Sequence, residues 1–154
     1  IPRNPRGSEL RIREEAYFNS TAAGEPEYLN PKGFYPGYPA VDLAEVVVSV
    51  DSTLGYESIA RGNKTAFFTI VPALKDDDSS RYGYPEKLPD VGPYWTNIPD
   101  PIIFKKILDH LFEITDEEWR QDLELAKFSK HIVYDPGNTR LKAILNHELD
   151  GNVN

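Results

Sequence analysis

A chain of 154 residues with a formal charge of -8 and no cysteine has room for one domain with its own core, expected to fill residues 1–154. The lack of thiols excludes disulfides and thiolate metal sites and suits a reducing, cytoplasmic setting, while the net negative charge argues against nucleic acid as a partner. A hydrophobic content of 40% sets the chain apart from disordered sequences, and no apolar run approaches the roughly 18 residues that span a bilayer.

The chain opens Ile1-Pro2-Arg3, in the manner of a strand cut open, and contains no methionine. A segment of a longer protein, with a further domain before it, is expected. Residues 8 to 19 read as a helix with Ser8 as its cap and Glu9 in its first turn. Ala22 to Pro39 is rich in Gly, Pro and Asn and reads as loop, broken by a short strand at Glu27 to Leu29, with Tyr35 and Tyr38 in that loop.

Val46-Val47-Val48-Ser49-Val50 is a nearly unbroken β-branched run of strand length and predicts a buried strand. Leu54 to Arg61 suits a short helix, closed by Gly62 in the left-handed cap position, and Thr65 to Val71 predicts a second strand. Strand, helix and strand within about thirty residues form a βαβ unit, hence a parallel sheet flanked by helices. Pro72 to Pro99 reads as loop. Asp100 then caps a helix with Pro101 at its first position, and Ile103, Phe104, Ile107, Leu108 and Leu111 recur at helical spacing. A further helix starts at the capping box Thr115-Asp116-Glu117-Glu118, with Trp119, Leu123 and Ala126 on one face. Asn138 is expected to cap a last helix that turns Leu141, Ile144, Leu145 and Leu149 inward.

In an open parallel sheet, ligands sit at the carboxyl ends of strands, where the next helix offers unpaired N–H groups and its positive end. Asp51-Ser52-Thr53-Leu54-Gly55-Tyr56-Glu57 lies there. Ser52 and Thr53 supply hydroxyls for a phosphate. Glu57, four residues beyond Thr53, supplies a carboxylate for ribose hydroxyls. Gly55 leaves space for a ligand or a neighbouring strand. Arg3 and Arg6 follow the expected first strand and would emerge at the same rim, where cations offset phosphate charge.

The stretch Val46 to Phe68, VVVSVDSTLGYESIARGNKTAFF, resembles the donor-binding domain of glycosyltransferases with two Rossmann-like halves, the GT-B architecture. It is most like bacterial surface-carbohydrate and lipopolysaccharide biosynthesis proteins, and a weaker likeness runs from Arg3 to Leu149, through Gly92-Pro93-Tyr94-Trp95-Thr96-Asn97. The resemblance implies a Rossmann-like domain in which Ser52 and Thr53 contact the phosphates of a nucleotide-sugar donor, CMP- or UDP-linked, and Glu57 its ribose. It also implies a glycan acceptor, an amino-terminal acceptor-side domain that carries the general base, and peripheral association of the full-length protein with the inner membrane face. Nucleotide-sugar 2-epimerases carry a comparable turn with two glycines where Thr53 and Leu54 stand here, which favours transfer over epimerisation. A non-catalytic nucleotide-binding or scaffold module is the remaining alternative.

Other residues give weaker signals. Arg61 shares a face with Glu57 and is expected to pair with it. Asp76-Asp77-Asp78 reads as a solvated loop, and His110, His131 and His147 have no mutual ligand spacing, so no metal and no cofactor beyond the donor is expected. Tyr82, Tyr84, Tyr94 and Trp95 suit either core packing or stacking on a sugar or base.

Overall fold

The computed structural model describes residues 6–29, 37–75, 78–126 and 133–151. Among them a parallel sheet is built from β1 (Val47–Ser49), β2 (Thr65–Phe68) and β3 (Trp95–Thr96), in the order β1-β2-β3. Val48 stands opposite Ala66, and Phe67 opposite Trp95. The helices are α1 (Glu9–Thr21), α2 (Gly37–Leu43), α3 (Thr53–Ala60), α4 (Val71–Lys75), α5 (Pro101–Glu113), α6 (Asp116–Leu125) and α7 (Thr139–Gly151), of which α3 and α5 pack against the strands. The fold is Rossmann-like α/β, as the βαβ pattern β1-α3-β2 implied.

The β-branched run did not predict its burial correctly. β1 is an outer strand of this sheet: Ser49 is buried, but Val48 is 50% and Val50 44% exposed. The other two strands are better covered: Thr65, Ala66 and Phe67 of β2 are buried with Phe68 half-buried, and both residues of β3 are buried. A run of valines reports strand propensity, and burial depends on what lies on either side. β2 also stops at Phe68, since Val71 begins α4.

Two segments read as loop carry structure. α2 begins at Gly37, inside the first of them, and takes Tyr38 and Pro39 into its first turn. Proline fits there because the early helical N–H groups have no intrahelical acceptor. Glu27 to Leu29 forms no strand. The second segment holds α4, a 3-10 turn at Asp78–Ser80 and β3. β3 is only two residues long, too short for alternation to show.

The core lies between the sheet and α5 and α6. Tyr94, just ahead of β3, and Trp95 of β3 enter it, with Ile107 and Leu111 from α5 and Trp119 from α6. Each buried aromatic with a polar tip finds a partner. The Tyr82 hydroxyl donates to Tyr94 Oη at 2.9 Å, the Trp95 indole N–H to Pro89 O at 2.9 Å, and the Trp119 indole N–H to Gly62 O at 3.0 Å. Burial pushes the Tyr94 hydroxyl up to about 12, so it stays protonated. Of the four aromatics weighed for stacking on a ligand, Tyr82, Tyr94 and Trp95 are therefore core residues, and Tyr84 is exposed.

Helix ends follow the sequence closely. Asp100 accepts from Ile102 N at 2.7 Å with Pro101 at the first position, and the Thr115 and Glu118 box closes in both directions. α7 differs. Asp135, not Asn138, caps it, accepting from Thr139 N at 3.0 Å and Arg140 N at 2.9 Å, while Asn138 adopts a φ of 55°. Three of the residues expected to turn inward do not: Leu141, Ile144 and Leu145 are all more than half exposed, while the Leu149 side chain lies outside what is described.

Candidate functional site

The turn from β1 into α3 is tied together locally. Ser52 has extended backbone angles and its hydroxyl accepts from Leu54 N at 3.3 Å, the geometry of a helix N-cap. Ser49 Oγ donates to Ser52 O at 3.3 Å, which fixes the bend to the strand below it. Gly55 permits the close approach. A Cβ there would lie 2.5 Å from Ser49 Cβ and 2.9 Å from Phe67 Cε1. Of the two roles read for Gly55, the structure shows contact with the neighbouring strands.

Beside this turn lies a cavity of about 600 Å³. Val47 to Val50, Asp51, Ser52, Leu54 and Gly55 form one wall, and Ala40, Val41 and Ala44 of the α2 region another, with Glu14 of α1 and Leu29 at the side. Asp51, Ser52 and Thr53 are exposed. Ser52 accepts one bond as a cap and keeps its own O–H as a donor. Among the described residues the lining is mostly apolar, its charged members are Glu14 and Asp51, and it includes no lysine or arginine. The groups there that suit an anion are hydroxyls, backbone N–H groups and the positive end of α3.

The seven expected site residues do not converge on one cavity. Asp51, Ser52 and Gly55 line the first; Thr53 is exposed at the first turn of α3, outside its lining. Glu57 is half-buried and lines a second cavity of about 350 Å³ with Tyr38, Arg61, Tyr134 and Asn138. Arg6 is exposed in the turn before α1 and lines neither. Arg3 lies outside the described residues.

Arg61 does not pair with Glu57. It forms a two-pronged ion pair with Asp42 of α2, Nε donating to Oδ1 at 2.8 Å and Nη2 to Oδ2, and its Nη1 donates to Tyr134 Oη at 3.2 Å. Sequence reasoning missed Asp42 and Tyr134, because both are remote in sequence from Arg61, at 19 and 73 residues.

His110 Nε2 is 2.7 Å from Asp122 Oδ2, joining α5 to α6, and His147 lies on α7. No cluster of three or more His, Cys, Asp or Glu side chains suited to a metal ion occurs among the described residues. Asp78 opens the 3-10 turn, whereas Asp76, Asp77, His131 and Tyr35 lie outside the described residues. No helix among those residues is long and apolar enough to cross a membrane.

A three-stranded parallel sheet flanked by helices defines a Rossmann-like α/β protein, with a hydroxyl-bearing turn beside a cavity at the carboxyl end of β1. A family model described as "putative O-antigen biosynthesis protein" matches residues 6–149, and the chain belongs to that family. The family description points to surface-carbohydrate biosynthesis. Neither the curated proteins nor the solved structures give a match.

Proposed function

We propose that the chain is the donor-binding half of a GT-B glycosyltransferase of O-antigen synthesis, and that it holds a nucleotide sugar at the turn from β1 into α3. The observation that carries this reading is the exposed Ser52 hydroxyl, set at the N-terminus of α3 on the rim of a 600 Å³ cavity. Thr53 adds a second exposed hydroxyl one residue on. The membership of an O-antigen biosynthesis family supports a carbohydrate-linked ligand. Developing charge on the leaving phosphate would be met by aligned donors already in place.

The acidic lining has a consequence. With Glu14 and Asp51 as the only charged members among the described residues, the cavity offers little to a bare polyanion, so further cations, such as groups on the acceptor-side domain, complete the phosphate site. The general base and the glycan acceptor are assigned to that second domain, with the full-length protein working at the inner membrane face. Accordingly this chain alone binds donor but turns over little.

Calorimetric titration of cytidine and uridine nucleotides tests the reading. The wild-type chain is expected to bind one of them, and a Ser52→Ala, Thr53→Ala variant to bind it about tenfold more weakly, the scale of one or two net hydrogen bonds. Equal affinity for both proteins removes the phosphate role.

A further inference from the structure

Glu57 and Arg61 stand four residues apart on α3, the spacing at which a carboxylate and a guanidinium pair across one helical turn. They do not pair. Arg61 is held elsewhere by its two-pronged contact with Asp42 and its bond to Tyr134 Oη, and its guanidinium carbon lies 4.8 Å from the Tyr38 ring centroid and 5.3 Å from that of Tyr134. Asn63 Nδ2 adds a bond to Asp42 Oδ1 at 3.1 Å and steadies the carboxylate. Glu57 is half-buried in the wall of the 350 Å³ cavity, with no side-chain hydrogen bond or ion pair among the described residues.

We infer that Asp42 is a positioning residue: by holding Arg61 between Tyr38 and Tyr134 it keeps the guanidinium off Glu57, and so leaves Glu57 as an acceptor for the vicinal hydroxyls of a nucleoside or sugar. A carboxylate already paired with arginine would offer its lone pairs to the guanidinium, and a hydroxyl would have to displace it. The competition favours Asp42. A two-pronged arginine–carboxylate contact with aromatic faces beside it outweighs a single pair across one helical turn. The device draws on three separate segments: α2 supplies Asp42 and Tyr38, α3 supplies Glu57 and Arg61, and the segment ahead of α7 supplies Tyr134.

The inference rests on the proposed function for the identity of the ligand, and the test separates the two. Cytidine and uridine monophosphate are titrated into wild type, Glu57→Gln, Asp42→Asn and the double variant Asp42→Asn, Arg61→Gln, and the Asp42→Asn protein is crystallised. Asp42→Asn is expected to weaken binding about tenfold, as Glu57→Gln does. The double variant is expected to return to within about twofold of wild type, a rescue that loss of a merely structural contact would not give. Binding by Asp42→Asn at wild-type strength while Glu57→Gln fails overturns the inference, and so does a loss that the double variant does not regain. If wild type binds neither nucleotide, the donor-site reading fails and the crystal structure decides the inference. Arg61 turned onto Glu57 upholds it, and Arg61 still held between the tyrosines overturns it.

Discussion

Gly55 of α3 lies directly against Ser49 of β1, so close that a Cβ on the glycine would come within 2.5 Å of the serine Cβ. The contact sets how deeply α3 sits on the sheet and therefore where the Ser52 turn emerges. Gly55→Ala forces the helix away from β1 and from Phe67, at an expected cost of about 1–3 kcal/mol, the range for overpacking a filled interior. Urea unfolding of the variant measures it. An unchanged midpoint would mean that the helix is not seated on this contact.

The Asp42–Arg61 pair makes stability depend on pH in a defined window. Hydrogen bonds from Arg61, then Asn63, hold the Asp42 carboxyl down at about 2 from its ordinary 3.8. A group depressed in the folded state stabilises the fold above its unfolded value and loses that contribution as pH falls through its folded one. The difference in stability between wild type and Asp42→Asn is thus expected to be constant above about pH 5 and to shrink from about pH 4 to pH 2. With the carboxylate side chain 38% exposed, solvent screening keeps the full difference near about 1 kcal/mol. Denaturant melts of the two proteins across this range check it, and a difference that grows on acidification would contradict the assignment.

Trp119 ties α6 to the βαβ unit. Its ring lies 5.2 Å from that of Tyr94, and its indole N–H reaches the carbonyl of Gly62, whose φ of 93° closes α3. Trp119→Ala removes both packing and hydrogen bond, with an expected loss of about 3–5 kcal/mol, a large part of the stability of a small domain. The far-ultraviolet melting curve is expected to shift strongly downward or lose its cooperativity.

At the start of α6, Glu118 accepts from Thr115 N at 2.7 Å and from Thr115 Oγ1 at 2.9 Å. The backbone bond, then the hydroxyl bond, holds the Glu118 carboxyl below its ordinary value. Thr115→Ala is expected to cost about 1 kcal/mol, as for other lost N-caps. The stabilising contribution of Glu118 is expected to disappear as the solution is acidified past the carboxylate range, which a Glu118→Gln comparison by thermal melting would read.

The sequence announced what local chemistry controls. Ser8, Asp100 and Thr115 cap helices where their residue types and spacing said they would, and Gly62 takes the left-handed position after α3. It did not announce what distant parts of the chain decide. Val46 to Val50 has the composition of a covered strand but lies at the outside of the described sheet, because burial depends on neighbours that the run itself does not encode. Helical spacing correctly put Glu57 and Arg61 on neighbouring turns, yet Asp42 and Tyr134 outcompete Glu57 for the guanidinium. Apolar spacing in α7 likewise described a stripe, without telling that Leu141, Ile144 and Leu145 would stay exposed.

The central claim is that a nucleotide sits at the N-terminus of α3. Its most direct test is a two-dimensional amide nuclear magnetic resonance titration of the chain with cytidine and uridine nucleotides. The account predicts that the largest shifts fall on the amides of Ser52, Thr53 and Leu54, with His110 and Asp122 at the α5–α6 junction unaffected. Shifts confined to that junction, or no saturable shift at the Ser52 turn at any nucleotide concentration, would contradict it.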